Sequence, residues 1–165
     1  MLSHIQRLIE ALRDELKQYG EMLALLDQQQ EQVMARAADE LLQTVATVNQ
    51  QSGVIQQARH DRHECQRDLA RFLELEADAP FEAILPHLPE DHRYLVRTLV
   101  DENNELLLRV QQRARQNHLL LTRSLELMQR FINTLVPGTR ATVYNGDGHL
   151  FSPAVPARAL YEAVG

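Results

Sequence analysis

Side chains able to do chemistry are few in this chain, and most of them gather in one stretch, His60-Asp61-Arg62-His63-Glu64-Cys65. A zinc ion held on one helix needs histidines at i and i+4, so that both rings share a face, as in H-E-x-x-H. Here His60 and His63 stand at i and i+3 with Glu64 beside them, and the H-E-x-x-H order is absent. A charged helix face accounts for the stretch better than a metal site does. The paired carboxylates Asp101-Glu102 lie in a long polar helix, where nothing would raise a pKa for acid–base work. Tyr19 and Tyr94 read as packing residues of helices. There is no Gly-rich phosphate loop, nucleophile elbow or candidate triad. A single cysteine, Cys65, leaves neither an intramolecular disulfide nor a cysteine-based zinc site. The expectation is a binding protein without a cofactor, not an enzyme.

The elements that carry these residues are long helices. From Leu2 the apolar positions Ile5, Leu8, Ile9, Leu12, Leu16, Tyr19, Met22, Leu23, Leu26, Val33 and Met34 recur in steps of three and four, one stripe of an α-helix. Ser3 is the expected N-cap, and Gly20 is a helix-interior cost of about 1 kcal/mol against Ala. The apolar phase slips near "MARAADELL", which favours a tight turn at 35–39 over one continuous helix, with Asp39 capping the next helix. That helix is expected over 39–75, weak in its middle at Asn49 to Gly53. Its charged second half offers Asp61, Glu64 and Asp68 to arginines three or four residues away. Pro80, Pro86 and Pro89 then bracket a short helix at 80–85, with Asp78 as a cap. The third long helix is expected over 89–135. Its seam reads Val96, Leu99, Asn103, Leu106, Val110, Ala114, Asn117, Leu121, Ser124, Leu127 or Met128, Phe131 and Leu135, spaced close to the coiled-coil repeat. Asn103, Asn117 and Ser124 on such a seam fix register at some cost in stability. The fold class is therefore all-α: an antiparallel three-helix, coiled-coil-like bundle with a long C-terminal helix, over 1–136, and a turn-rich tail over 137–165.

Composition agrees. The chain has 165 residues, 44% of them hydrophobic but only 5% aromatic, with no tryptophan. Bundles built on Leu, Ala and Val seams need little aromatic bulk. Glutamine runs such as Gln28-Gln29-Gln30 suit outer helix faces, since Gln is a good helix former that stays solvated. Such a bundle is expected to lack a deep pocket. The formal charge of −6 argues against nucleic acid or an anionic membrane as a general partner. The charge is uneven: residues 1–40 hold four basic against eight acidic side chains. Residues 109–130 hold Arg109, Arg113, Arg115, Arg123 and Arg130 against Glu126 alone. Either acidic and basic helices adjoin in one bundle, or the basic strip faces a partner. The first residues, interrupted by Arg7, Glu10, Arg13 and Asp14, do not make a signal peptide, and no run approaches the ~20 apolar residues of a membrane span. A cytoplasmic location is expected.

After Val136-Pro137-Gly138 the pattern changes to "TVYNGDGHLFSP". Asn145-Gly146 is a two-residue turn signal, and Val143-Tyr144 with His149-Leu150-Phe151 could flank it as a small hairpin. Such a hairpin is marginal alone in water. The segment is either a terminus without a role or a mobile arm ordered by a partner. Its content of Val143, Tyr144, Leu150, Phe151, Leu160 and Tyr161 is high for a solubilising tail.

The order of parts resembles the FlgN-type flagellar export chaperones. Three passages carry the resemblance: "LLDQQQEQVMARAADELLQTVATVNQQ" in the first helix pair, "DENNELLLRVQQRARQNHLLLTRSLELM" in the last helix, and the Tyr-x-Gly-Asp-Gly element Tyr144, Gly146, Asp147 and Gly148 after it. It covers roughly residues 1–150. The resemblance implies a non-catalytic protein that binds C-terminal segments of the hook–filament junction proteins FlgK and FlgL. It would keep them from early assembly and deliver them to the flagellar type III export gate. The client contacts are expected on Leu127, Met128, Phe131, Ile132 and Leu135. Docking to the gate protein FlhA is expected at Val143, Tyr144, Gly146, Asp147 and Gly148. Asn145 and a tail with two prolines after the element depart from the usual pattern. The alternative is a structural coiled coil that assembles a homo-oligomeric scaffold through Leu106, Val110 and Leu121.

Overall fold

The computed structural model describes residues 1–135. Among them the order is α1 (Leu2–Ala35), α2 (Ala38–Phe72), a short α3 (Phe81–Ile84) running into a 3-10 turn (Leu85–His87), and α4 (Glu90–Leu135), with no strand. The fold is all-α. The expected hairpin and tail lie outside the described residues. The chain divides into two units between Leu120 and Leu121, and α4 crosses that division as one helix.

In the first unit α2 runs antiparallel to α1, as the cross-links Arg7–Asp68, Glu15–Arg62 and Gln18–Gln51 show. α4 runs parallel to α1. Asn103 Nδ2 donates to the Leu12 carbonyl at 3.0 Å and Asn117 Nδ2 to the Leu26 carbonyl at 2.7 Å. Both links span 91 positions, thirteen heptads, so the same heptad position of each helix meets its counterpart. These two asparagines thus sit on the seam and fix register. Ser124, expected to do likewise, is exposed.

Two apolar clusters fill the bundle. One joins Ile5, Leu8, Ile9 and Leu12 to Leu69, Ile84, Leu88, Val96 and Leu99. The other joins Tyr19, Met22, Leu26 and Ile55 to Val48, Leu106 and Val110. Buried polar side chains lie along the same α1 stripe, namely Glu15, Gln18 and Gln29. Glutamine is thus not confined to outer faces. Gln29 accepts from Asn117 Nδ2 at 2.9 Å, and Gln66 Nε2 donates to the Ala79 carbonyl at 2.8 Å. Each is buried because a partner replaces its water.

Helix ends depart most from expectation. Both α1 and α2 close in Schellman motifs. Ala37 N–H reaches the Gln32 carbonyl and Arg36 N–H that of Val33; Leu75 and Glu74 repeat the pattern on Ala70 and Arg71. The left-handed residue is Arg36 (φ 57°) in one and Glu74 (φ 58°) in the other, where glycine is usual. The turn near 36–37 is the one the phase slip predicts. The caps are different residues, however. α1 begins at Leu2, so Ser3 falls inside the first turn, and Asp39 lies in the first turn of α2 beside Glu40. There both acids face the positive end of the helix dipole without capping it. Asp78 does not cap α3, whose N-cap is Pro80; it accepts from Arg67 Nε at 2.8 Å instead. Tyr94 does not pack: it is 77% exposed.

Candidate partner-binding surface

The final turns of α4 carry the residues expected to hold a client. Over 121–135 the sequence is LTRSLELMQRFINTL, with apolar side chains at steps of three and four. Leu127 and Met128 are each 65% exposed, Phe131 64% and Ile132 53%. Leu135 closes the helix. These positions share one face, because steps of three and four return to the same side of an α-helix. Leu125 is as exposed as Leu127 and belongs to the same face. It is not among the residues expected to hold a client, although the run Leu121, Leu125, Met128, Ile132 signals it by its spacing. Monomeric soluble proteins rarely leave a contiguous apolar face of this kind uncovered. The gate residues Val143, Tyr144, Gly146, Asp147 and Gly148 lie outside the described residues.

Elsewhere, candidate groups are engaged with one another. Buried Glu15 accepts from Tyr19 Oη at 2.8 Å and from Arg62 Nε at 3.0 Å. Arg62 also donates to Gln66 Oε1 at 3.0 Å and lies over the Phe81 ring, 5.9 Å from its centre. Burial, then the Glu15 charge, drives the Tyr19 hydroxyl pKa far above its ordinary value, so it stays a donor. Two open clefts flank Phe81, of about 410 and 620 Å³, on a bundle expected to offer no deep pocket. The first is lined by Glu15, Tyr19, Arg62 and Asn103: Tyr19 and Arg62 both donate to Glu15, Asn103 donates to the Leu12 and Leu99 carbonyls, and the lining holds no serine, threonine or cysteine nucleophile.

His63 Nε2 lies 3.6 Å from Asp78 Oδ1, the oxygen that also takes Arg67. The hydrogen bond and charge of Arg67 hold the Asp78 carboxyl below its usual pKa. His60 is not part of that cluster, and among the described residues no three His, Cys, Asp or Glu side chains converge as metal donors. Burial pushes the Cys65 thiol pKa up, the opposite of what a nucleophilic cysteine needs. Of the expected intrahelical pairs, Glu64–Arg67 and Asp68–Arg71 form, whereas Asp61 accepts from Gln57. Acidic α1 and basic α4 do adjoin: Arg113 Nε lies 2.7 Å from Asp27 Oδ1, and Arg113 also bonds Gln30. Of Leu106, Val110 and Leu121, through which a scaffold would self-associate, the first two already pack on the Tyr19 cluster, whereas Leu121 is half-buried outside it.

The described chain is thus a helical bundle many of whose polar groups pair with one another and whose last helix ends in an open apolar face. Residues 1–150 match the family model described as FlgN protein. The chain belongs to the FlgN family. That is the flagellar export chaperone family, so the role of this FlgN-family chain is a chaperone's in flagellum assembly. No curated protein and no solved structure matches it. Among the described residues no helix is long and apolar enough to cross a membrane.

Proposed function

We propose that this FlgN-family chain is a cytoplasmic chaperone for the C-terminal segments of FlgK- and FlgL-like hook–filament junction proteins. It keeps them from assembling early and hands them to the flagellar type III export gate. The observation that carries the reading is the exposed face of Leu127, Met128, Phe131 and Ile132. An amphipathic client segment would cover it by helix-in-groove pairing. Covering the exposed part of each side chain is worth on the order of 1–2 kcal/mol, against an ordering cost of about 2–5 kcal/mol for the client, so binding is expected to be moderate. Such an affinity suits a complex that must release. Delivery is assigned to Val143, Tyr144, Gly146, Asp147 and Gly148 docking on FlhA, with Leu135 completing the client face.

Calorimetric titration of the full chain with the C-terminal ~40 residues of a junction protein tests this, an affinity at or below about 1 μM corresponding to roughly 8 kcal/mol. Saturable binding is expected, and Phe131→Asp with Ile132→Asp should abolish it without loss of helix content. Binding that survives the double substitution would refute the placement of the client. Tyr144→Ala should leave client binding intact and remove capture by the cytoplasmic domain of FlhA. The scaffold alternative is weakened because Leu106 and Val110 are occupied inside the bundle.

A further inference from the structure

The open face of α4 is asymmetric in charge. At roughly 3.6 residues per turn, the apolar arc from Leu127 round to Leu125 spans about 160° of the helix. Arg123 and Arg130, one heptad apart, both stand along the Leu127 edge of that arc. The other edge continues into the neutral Gln129. The single acid of residues 121–135, Glu126, falls on the opposite side of the helix. Both arginines are exposed, and neither side chain forms an ion pair among the described residues. In the first unit Arg7, Arg62, Arg67, Arg71 and Arg113 each sit within 4 Å of a carboxylate, whereas others, Arg97 and Arg115 among them, form no ion pair among the described residues. What sets Arg123 and Arg130 apart is their place: both border the exposed apolar arc on one edge, with no carboxylate of that arc beside them.

Resting on the client reading above, we infer that the occupant of this face is an amphipathic helix carrying two carboxylates one heptad apart along a single edge, opposite Arg123 and Arg130. Seven residues of helix rise about 10.5 Å, so the two arginines form a ruler for acids at i and i+7 of the partner. One-sided charge defines which flank of the partner lies against which flank of α4, a selection that apolar contact alone cannot make. A second copy of this chain fits the face poorly. It would bring the same two arginines and only Glu126, which points away from the seam.

The test uses the full chain and the C-terminal ~40-residue segment of a junction protein, titrated at ~50 and ~500 mM NaCl, where rim charge pairs are screened at the higher salt. Arg123→Glu with Arg130→Glu should weaken binding about tenfold or more at low salt and abolish most of the salt dependence. Arg97→Glu with Arg115→Glu, an equal change in net charge elsewhere on the helix, should stay within about twofold. Replacing the two client acids by lysine should restore affinity for the reversed variant. If wild type binds but the reversed variant stays within twofold, the acidic-edge inference is overturned and the client reading stands. If wild type does not bind at all, the client reading itself fails. A salt-insensitive dimer in sedimentation, formed through residues 121–135, would overturn the inference in favour of a second copy. Should the reversed variant lose helix content, Arg123→Gln with Arg130→Gln supplies the same comparison at lower amplitude.

Discussion

Replacing Asn103 and Asn117 together by leucine should separate stability from register. Four side-chain hydrogen bonds are lost: Asn103 to the Leu12 and Leu99 carbonyls, and Asn117 to the Leu26 carbonyl and Gln29 Oε1. At about 1 kcal/mol net each they amount to about 4 kcal/mol. Gln29 Oε1 is left buried without its donor, a further cost of about 1–3 kcal/mol. Against this, both asparagine Oδ1 atoms are already buried without a partner. Removing them relieves about 1–3 kcal/mol each, and two buried leucines add about 1.5–3 kcal/mol each. The balance runs from a loss of about 2 to a gain of about 7 kcal/mol, centred on a gain of about 2–3 kcal/mol. Nothing polar would then hold α4 to its 91-residue offset from α1, so heptad slips and oligomers become accessible. Urea unfolding followed by circular dichroism gives the first quantity; sedimentation equilibrium and the dispersion of amide NMR peaks give the second. A loss of more than about 3 kcal/mol with a single sharp conformer retained would refute the reasoning, because the amides would then be net contributors to stability.

Other substitutions probe the backbone and the buried polar layer. A Cβ at Gly20 or Gly53 meets no atom within 4 Å, so Gly20→Ala and Gly53→Ala should each stabilise by up to about 1 kcal/mol in urea melts. Arg36→Gly and Glu74→Gly should likewise each add about 1 kcal/mol, since both positions hold positive φ and neither side chain forms an ion pair. The Tyr19 hydroxyl has its pKa raised by burial and by Glu15, so the stability it confers is fully present below its unfolded value near 10. It is lost as pH rises from there toward the folded pKa, by up to about 1.4 kcal/mol per pH unit. Tyr19→Phe should flatten that alkaline decline while costing about 1–3 kcal/mol at neutral pH, where Glu15 loses a donor; an unchanged decline would show that Tyr19 is not its source.

Periodicity made the long helices legible, and the asparagines on the α4 seam declared their register role because an amide amid leucines has few other uses. The turn after α1 was readable from a phase slip, but its chemistry was not. The sequence signal for a left-handed C-terminal residue is glycine, and the chain uses Arg36 and Glu74. Capping was misread for a related reason. Ser3, Asp39 and Asp78 are suitable cap types, yet α1 and α2 start two residues earlier than such caps would set, and Asp78 is drawn to Arg67 across the α2–α3 connection. Buried Glu15, Gln18, Gln29 and Gln66 were hidden because composition counts glutamine as a surface residue, and partners from other helices decide otherwise. Tyr94 shows the converse, an aromatic that no neighbour covers. The open face of α4 was legible as an apolar run. Its exposure and the unpaired state of Arg123 and Arg130 required the structure.

Amide hydrogen exchange of the full chain, alone and saturated with the C-terminal segment of a junction protein, tests the central claim most directly. Added protection is expected to concentrate in residues 121–135, with exchange in α1 and α2 unchanged. Protection confined to residues 1–120, or no change anywhere at saturation, would contradict it.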